Sequence, residues 1–244
     1  MDLGISGRRA AVAAASRGLG HATAMALAAE GVQVVICGRA RASVEEAARG
    51  TQLIPVVADV ATPDGARGFV QAARDSLGGV DILVANAGGP PPGRFADIAD
   101  LGQYTRAFET NCLSTIAMCA EALPAMQSQR WGRVVAITSI GVRQPIPHLI
   151  LSNTARAGVT GFLKTLAREV APDGVTVNSL QPWLHDTERL RSLPGGTDPS
   201  SVPTGTLGQP SDFGAIAAFL CSEQACYLTG AAIPVDGGVH AGLQ

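Results

Sequence analysis

A hydroxyl and a guanidinium stand four residues apart, Ser152 and Arg156, in the segment LILSNTARAG (149–158). If a helix begins by residue 152, both side chains lie on one of its faces. A guanidinium does not surrender a proton at working pH, but its fixed donors suit a carboxylate, a phosphate or a developing oxyanion. A serine hydroxyl is a weak acid and needs help from a neighbour to become reactive. The pair therefore reads as an anion-stabilising device. Two histidines, His185 in PWLHDT and His148 in PIPHL, have the side-chain chemistry to carry a proton near neutral pH. Without geometry, a packing or surface role stays open for both. A second constellation, Gly18 and Gly20 in AAASRGLGHATAMALAAEG, occupies a turn that opens a helix after an apolar run. Such a turn aims backbone N–H groups and the positive helix end at a pyrophosphate. An ordinary glycine-containing turn is the alternative, and the strand–turn–helix order argues against it.

The elements that must position these groups follow from apolar patterning. Strands are expected at AAVAAA (10–15), VQVVIC (32–37), LIPVVA (53–58), DILVAN (81–86), RVVAITS (133–139), VTVNSL (175–180) and AIPVD (232–236). Near-continuous apolar runs suit parallel strands covered on both faces. Helices are expected between them, including 21–30, 63–76, 98–127 and 153–170. This alternation predicts a doubly wound α/β sheet in one domain spanning 1–244, with no internal repeat or interdomain linker. The segment 183–209, rich in Pro, Gly, Ser and Thr, breaks the rhythm and reads as a substrate lid or binding loop; a disordered surface insertion is the alternative.

Composition narrows the partners. The chain has 244 residues, 46% hydrophobic and 16% charged, which suits a folded chain with a substantial core. A net charge of -2 gives no electrostatic reason to expect nucleic acid or an anionic membrane surface. The start, MDLGISGRR, has no signal-peptide pattern, and no apolar run reaches the length of a membrane span. Five cysteines form no C-x-x-C pair and no metal spacing, so they read as reduced, mostly buried hydrophobes. A cytoplasmic protein without a metal site is expected.

Together these motifs resemble the short-chain dehydrogenase/reductase family over nearly the whole chain. The phosphate turn Ala13–Gly20 is similar to the family's T-G-x-x-x-G-x-G, with Ala13 and Ala14 in place of the threonine and first glycine. Asp59 and the following Val60, in VVADV, look like the adenine contact. Asn86-Ala87-Gly88 looks like the family's N-A-G turn. The Asn111 segment ETNCLS, the stretch AREVAPDGVTVNSLQP and the ending LTGAAIPVDGG add to the likeness. NAGGPPPG (86–93) associates the chain with an atypical branch. The resemblance implies a Rossmann fold with a seven-stranded parallel sheet in the order 3-2-1-4-5-6-7 and helices on both faces. It also implies a homodimer or homotetramer acting on a small molecule. For the cofactor it implies Ala14, Ser16, Arg17, Gly18, Leu19, Gly20, Arg39, Asp59, Val60, Asn86, Ala87, Gly88, Pro182 and Thr187 as contacts. The second strand ends in Cys37-Gly38-Arg39, without the acid that would hold a ribose 2′-hydroxyl. Arg39 and Arg17 suit a 2′-phosphate instead, which favours NADP(H) over NAD(H).

In the resemblance, Asn111 and Ser139 match the family's catalytic asparagine and serine. The tyrosine position is Ser152 and the lysine position is Arg156, in a register fixed downstream by Ala157-Gly158. Tyr104 and Tyr227, the chain's only tyrosines, lie elsewhere, and Tyr227 reads as structural. Pro182-Trp183 replaces the usual Pro-Gly, which crowds or reshapes the nicotinamide and substrate pocket. His185 is the best replacement proton carrier on chemistry alone. An NADP(H)-dependent carbonyl or alcohol oxidoreductase, 3-oxoacyl-reductase-like but lacking the usual tyrosine, is expected. Two alternatives stay open: a cyclase, dehydratase or isomerase using Arg156 with Ser139 and Ser152, and a non-catalytic partner that binds no cofactor productively.

Overall fold

The computed structural model describes residues 1–192 and 198–243. Its seven strands are β1 (Arg9–Val12), β2 (Gln33–Gly38), β3 (Ile54–Val57), β4 (Ile82–Ala85), β5 (Gly132–Ile137), β6 (Val175–Pro182) and β7 (Ala232–Val235). They form one sheet in the order β3-β2-β1-β4-β5-β6-β7, with every pairing parallel. The order reverses between β1 and β4. In sheets of this kind, ligands bind outside the carboxyl ends of the strands at that switch point.

The helices are α1 (Gly18–Ala29), α2 (Arg41–Ala48), α3 (Pro63–Leu77), α4 (Gly102–Phe108), α5 (Ser114–Ser128), α6 (Ile150–Val170), α7 (Glu188–Arg191) and α8 (Pro210–Leu220). One face of the sheet is covered by α3, α5 and α6, around Phe69, Met118 and Leu163. The other carries α1, α2 and α8, around Leu27, Val44 and Phe213. Local signals set the helix ends. Thr62 Oγ1 accepts from Gly65 N at 3.2 Å, Pro63 opens α3, and Gly78 closes it with a φ of 73°.

Helix α6 shows how packing places chemistry. Leu151, Ala155, Val159 and Leu163 recur at helical spacing and are buried. Each large aliphatic side chain among them contributes about 1.5–3 kcal/mol by leaving water. One position further along, Ser152 and Arg156 are carried to the edge of that buried stripe.

Three expectations need correction. The helix expected over 98–127 is two helices joined by a π-helical turn, Glu109–Leu113, which holds Asn111. Such a bulge turns a side chain off the regular helical path and is frequent at functional sites. The 183–209 segment is not wholly irregular: it carries α7 and the short turn Pro199–Ser201, while 193–197 lies outside the described residues. Tyr227 is fully exposed rather than packed into the structure. The cysteines match expectation, all free, with Cys226 alone exposed. No helix among the described residues is long and apolar enough to cross a membrane. No group of His, Cys, Asp or Glu among them could hold a metal ion.

Candidate active site

The phosphate turn hangs between the ends of two strands. Ala13 N donates to Val84 O at 3.0 Å, and Ala15 N donates to Cys37 O at 2.9 Å. Ala14, caught between them, adopts a φ of +47°, a left-handed conformation that favours glycine. Asn86 Nδ2 donates to Ala13 O at 3.3 Å and Ala14 O at 3.2 Å, so the N-A-G turn braces the phosphate turn. Gly18 has a φ of +62°. A Cβ on Gly20 would lie 2.8 Å from both Ala14 O and Asn86 Nδ2, so only glycine fits there. A Cβ on Gly88 would meet nothing within 4 Å, which makes it open wall facing the crevice. Leu19 and Ala87 pack against opposite cores.

The end of β2 carries the choice of ribose partner. Gly38 lets Ser16 approach closely, since a Cβ there would stand 3.2 Å from Ser16 Oγ. Arg39, next in sequence, is exposed and has no carboxylate partner among the described residues. Asp59 is exposed, with Oδ1 accepting from Ala61 N at 3.0 Å, and Val60 is buried beneath it. Arg17, expected beside Arg39, is instead paired with Glu188 of α7 at 2.8 Å. Both partners are largely exposed, so this ion pair between the phosphate turn and α7 is weak. Thr187 caps α7, its Oγ1 accepting from Leu190 N at 3.3 Å, and its methyl lies 3.8 Å from the position of a Cβ on Gly18. Pro182 ends β6. A cradle with the turn glycines Gly18 and Gly20, the open Gly88 and an unneutralised arginine fits a phosphorylated dinucleotide.

The positions expected to be catalytic lie where β4 and β5 end. Arg156 Nη1 donates to Ile137 O at 3.1 Å and Thr138 O at 3.0 Å, and its Nε donates to Ser152 Oγ at 3.2 Å. The sequence-predicted pair therefore shares one face, and it clamps the strand end whose next residue is Ser139. Ser139 Oγ accepts from Gly141 N at 3.1 Å, which leaves its hydrogen to donate. Asn111 Nδ2 donates to Gly88 O at 3.0 Å, while its buried Oδ1 has no partner among the described residues. Burial, followed by the positive charge of Arg189, lowers the Arg156 guanidinium to about 10.

The histidines are placed differently. His185 is 5% exposed, its ring edge-on to Phe213 with centroids 5.2 Å apart, and Nδ1 lies 3.4 Å from Trp183 O. Burial lowers its pKa, against small opposing effects of the Trp183 carbonyl and Asp212. That is the setting of a neutral packing side chain under α8. His148 is exposed with a φ of +63°, and its backbone accepts from Gly93 N at 2.6 Å. Trp183 is half-buried, with its indole N–H buried and unpartnered among the described residues.

Sequence reasoning missed two features. The Gly-Gly-Pro-rich loop is tied to α6 through a parallel bridge between Gly93 and Leu149, which sets where α6 begins. Asn153 staples the preceding loop, its Nδ2 donating to Ile146 O at 2.9 Å. The other missed residue is Arg189, which reaches from α7 to Gly89 O at 3.4 Å and Pro90 O at 3.5 Å. The paired glycines of NAGG were its one signal, because a Cβ on Gly89 would overlap Arg189 Nη2.

Comparison with known proteins agrees with this geometry. A family model described as Enoyl-(Acyl carrier protein) reductase matches residues 13–240. The 3-oxoacyl-[acyl-carrier-protein] reductase FabG of Vibrio cholerae is 31% identical over 243 residues, covering 98% of this chain and 99% of that protein. The human Dehydrogenase/reductase SDR family member 4 is 32% identical, covering 98% of this chain and 90% of that protein. The structure of L-sorbose reductase from Gluconobacter frateurii, complexed with NADPH and L-sorbose, superposes with a TM-score of 0.91 at 32% identity over 100% of both chains. With the sheet order, the phosphate turn and these likenesses over nearly its full length, the chain belongs to the short-chain dehydrogenase/reductase family.

Proposed function

We propose that the chain, acting as one domain over 1–244, is an NADP(H)-dependent reductase of a carbonyl group that works without the family's tyrosine. The carrying observation is the Arg156 guanidinium, fixed to both Ser152 and the end of β5 beside Ser139. NADPH fits the cradle of Ser16, Gly18, Gly20, Arg39 and Gly88, and when bound it supplies a hydride. The relatives support this reading, since the sorbose reductase structure holds NADPH.

The chain's own residues then handle the substrate oxygen. Ser139, whose Oγ already accepts from Gly141 N, donates its hydrogen to that oxygen. Ser152 accepts from Arg156 and therefore also turns its O–H outward. A cation donating to Oγ stabilises negative charge there, so Arg156 acts on Ser152 as the family's lysine acts on its tyrosine. Serine remains too weak an acid to deliver the proton alone. Arg156 holds the developing negative charge, and the proton comes from water along a path that the unpaired Asn111 Oδ1 can orient. His185, packed against Phe213, has no part in this step.

The five free cysteines suit a reducing, cytoplasmic setting. Exposed Ile216, Phe219 and Tyr227 suit contact with another copy in a homodimer or homotetramer. The test is steady-state oxidation of NADPH and NADH by the pure protein with a panel of 3-oxoacyl and keto substrates. Turnover with NADPH in preference to NADH supports the reading. Conversion of substrate with no loss of either reduced cofactor would favour a non-redox reaction at the same oxyanion site.

A further inference from the structure

Two arginines at the carboxyl end of the sheet have no counter-charge among the described residues. Arg156 forms no ion pair with any described residue, and its Nη2 makes no hydrogen bond to them. Arg189 is held only by two long bonds to the carbonyls of Gly89 and Pro90, at the weak end of hydrogen-bond geometry. Its neighbours on α7 are committed: Arg191 to Asp186 at 2.8 Å, and Glu188 to Arg17 at 2.8 Å.

The two arginines lie at neighbouring strand ends: Arg189 against Gly89 and Pro90, which follow β4, and Arg156 against Ile137 and Thr138 at the end of β5, the strand paired with β4. Asn111 binds Gly88 O, Arg189 lies across Gly89 and Pro90, and Gly93 bridges to Leu149 at the start of the helix that carries Arg156. Arg189 is an exposed residue whose guanidinium lies against the loop, and partial burial of that group lowers its pKa. Its charge also presses on Arg156. Two like charges, partly desolvated and unneutralised, destabilise each other until an anion sits between them.

We propose that Arg156 and Arg189 form a seat for a carboxylate of the substrate, so that the enzyme reduces keto acids as free acids rather than only as neutral esters or thioesters. This rests on the reductase reading above. Arg156 Nη2 offers the inner donor, and Arg189 closes from the lid with a planar pair of N–H groups. Gly89 permits that closure because any side chain there would occupy the space of Arg189. The shared chemistry, an anion between two guanidiniums, also describes a cofactor pyrophosphate, so the experiment must separate the two sources.

The test titrates the NADP+-saturated protein calorimetrically with four- to eight-carbon 2-oxo- and 3-oxoacids, each against its methyl ester. NADPH affinity is measured separately by fluorescence. At least one acid is expected to bind about tenfold or more tighter than its ester. Arg189→Met is expected to bring that ratio close to one, to leave NADPH affinity within error and to leave the melting temperature unchanged or raised, since it removes one of two like charges, while Arg189→Lys retains part of the preference. Equal binding of every acid and ester, or none at all, overturns the proposal. Arg189→Met weakening NADPH about tenfold overturns it too, because the seat would then belong to the pyrophosphate. If the unaltered protein binds no NADPH, the reductase reading itself falls, and the fluorescence arm reports this separately.

Discussion

Replacing Ala14 with glycine tests the phosphate turn most sharply. Ala14 holds a φ of +47° because the amides on either side of it are fixed to Val84 O and Cys37 O. An L-residue in that region costs about 1–2 kcal/mol through crowding of its Cβ. Glycine removes the crowding, but its unfolded chain gains freedom worth about 0.5–1 kcal/mol. The difference leaves Ala14→Gly more stable by about 0.5–1 kcal/mol. For a chain of this length the melting temperature should rise by about 1–4 °C. The methyl also stands on the turn that approaches the pyrophosphate, so its loss should tighten NADPH binding several-fold. Thermal melting followed by circular dichroism, with NADPH titration by fluorescence, reads both effects. A lower melting temperature together with weaker NADPH binding would show that the methyl packs productively, and the strain argument would be refuted.

Other substitutions separate the remaining roles. Arg156→Met should lower kcat/KM for NADPH oxidation about 100-fold or more, the scale of losing an oxyanion donor. Arg156→Lys should recover little in the same assay, because one ammonium cannot span Ser152, Ile137 and Thr138 as the fork does. Arg39→Ala should weaken NADPH about tenfold and leave NADH unchanged, read by paired fluorescence titrations. His185 supplies the pH dependence. Its folded pKa is lowered by burial, so the unfolded chain binds the extra proton first. Stability should be highest above about pH 6.5 and fall as pH drops below that value. In denaturant melts at stepped pH, His185→Gln should flatten this fall and leave the pH profile of kcat/KM in place.

Much of the site was legible because it depends on short-range spacing. Ser152 and Arg156 meet because a helix brings together residues four apart, and α6 does begin before Ser152. The glycines of the phosphate turn and the alternation of apolar runs carried the sheet and its cradle. What escaped is set by tertiary contact. Nothing in an alanine announces a left-handed φ; the constraint on Ala14 comes from strands β2 and β4. Arg17 looked free because its partner Glu188 lies far along the chain on α7. His185 had the right pKa in isolation, but the fold buries it against Phe213 and lowers that pKa. Arg189 sits in a Pro- and Gly-rich segment without periodicity, so only the folded α7 places it over Gly89 and Pro90. The π-helical turn at Asn111 likewise leaves no mark in the apolar pattern.

The central claim is hydride transfer without a tyrosine. The direct measurement is a single-turnover reaction of the protein and a keto substrate with NADPH deuterated at the transferring position of nicotinamide C4, followed by mass spectrometry of the product. The account predicts an alcohol carrying one deuterium on its carbinol carbon, formed in step with oxidation of NADPH. Product without deuterium, formed while NADPH stays reduced, would contradict it.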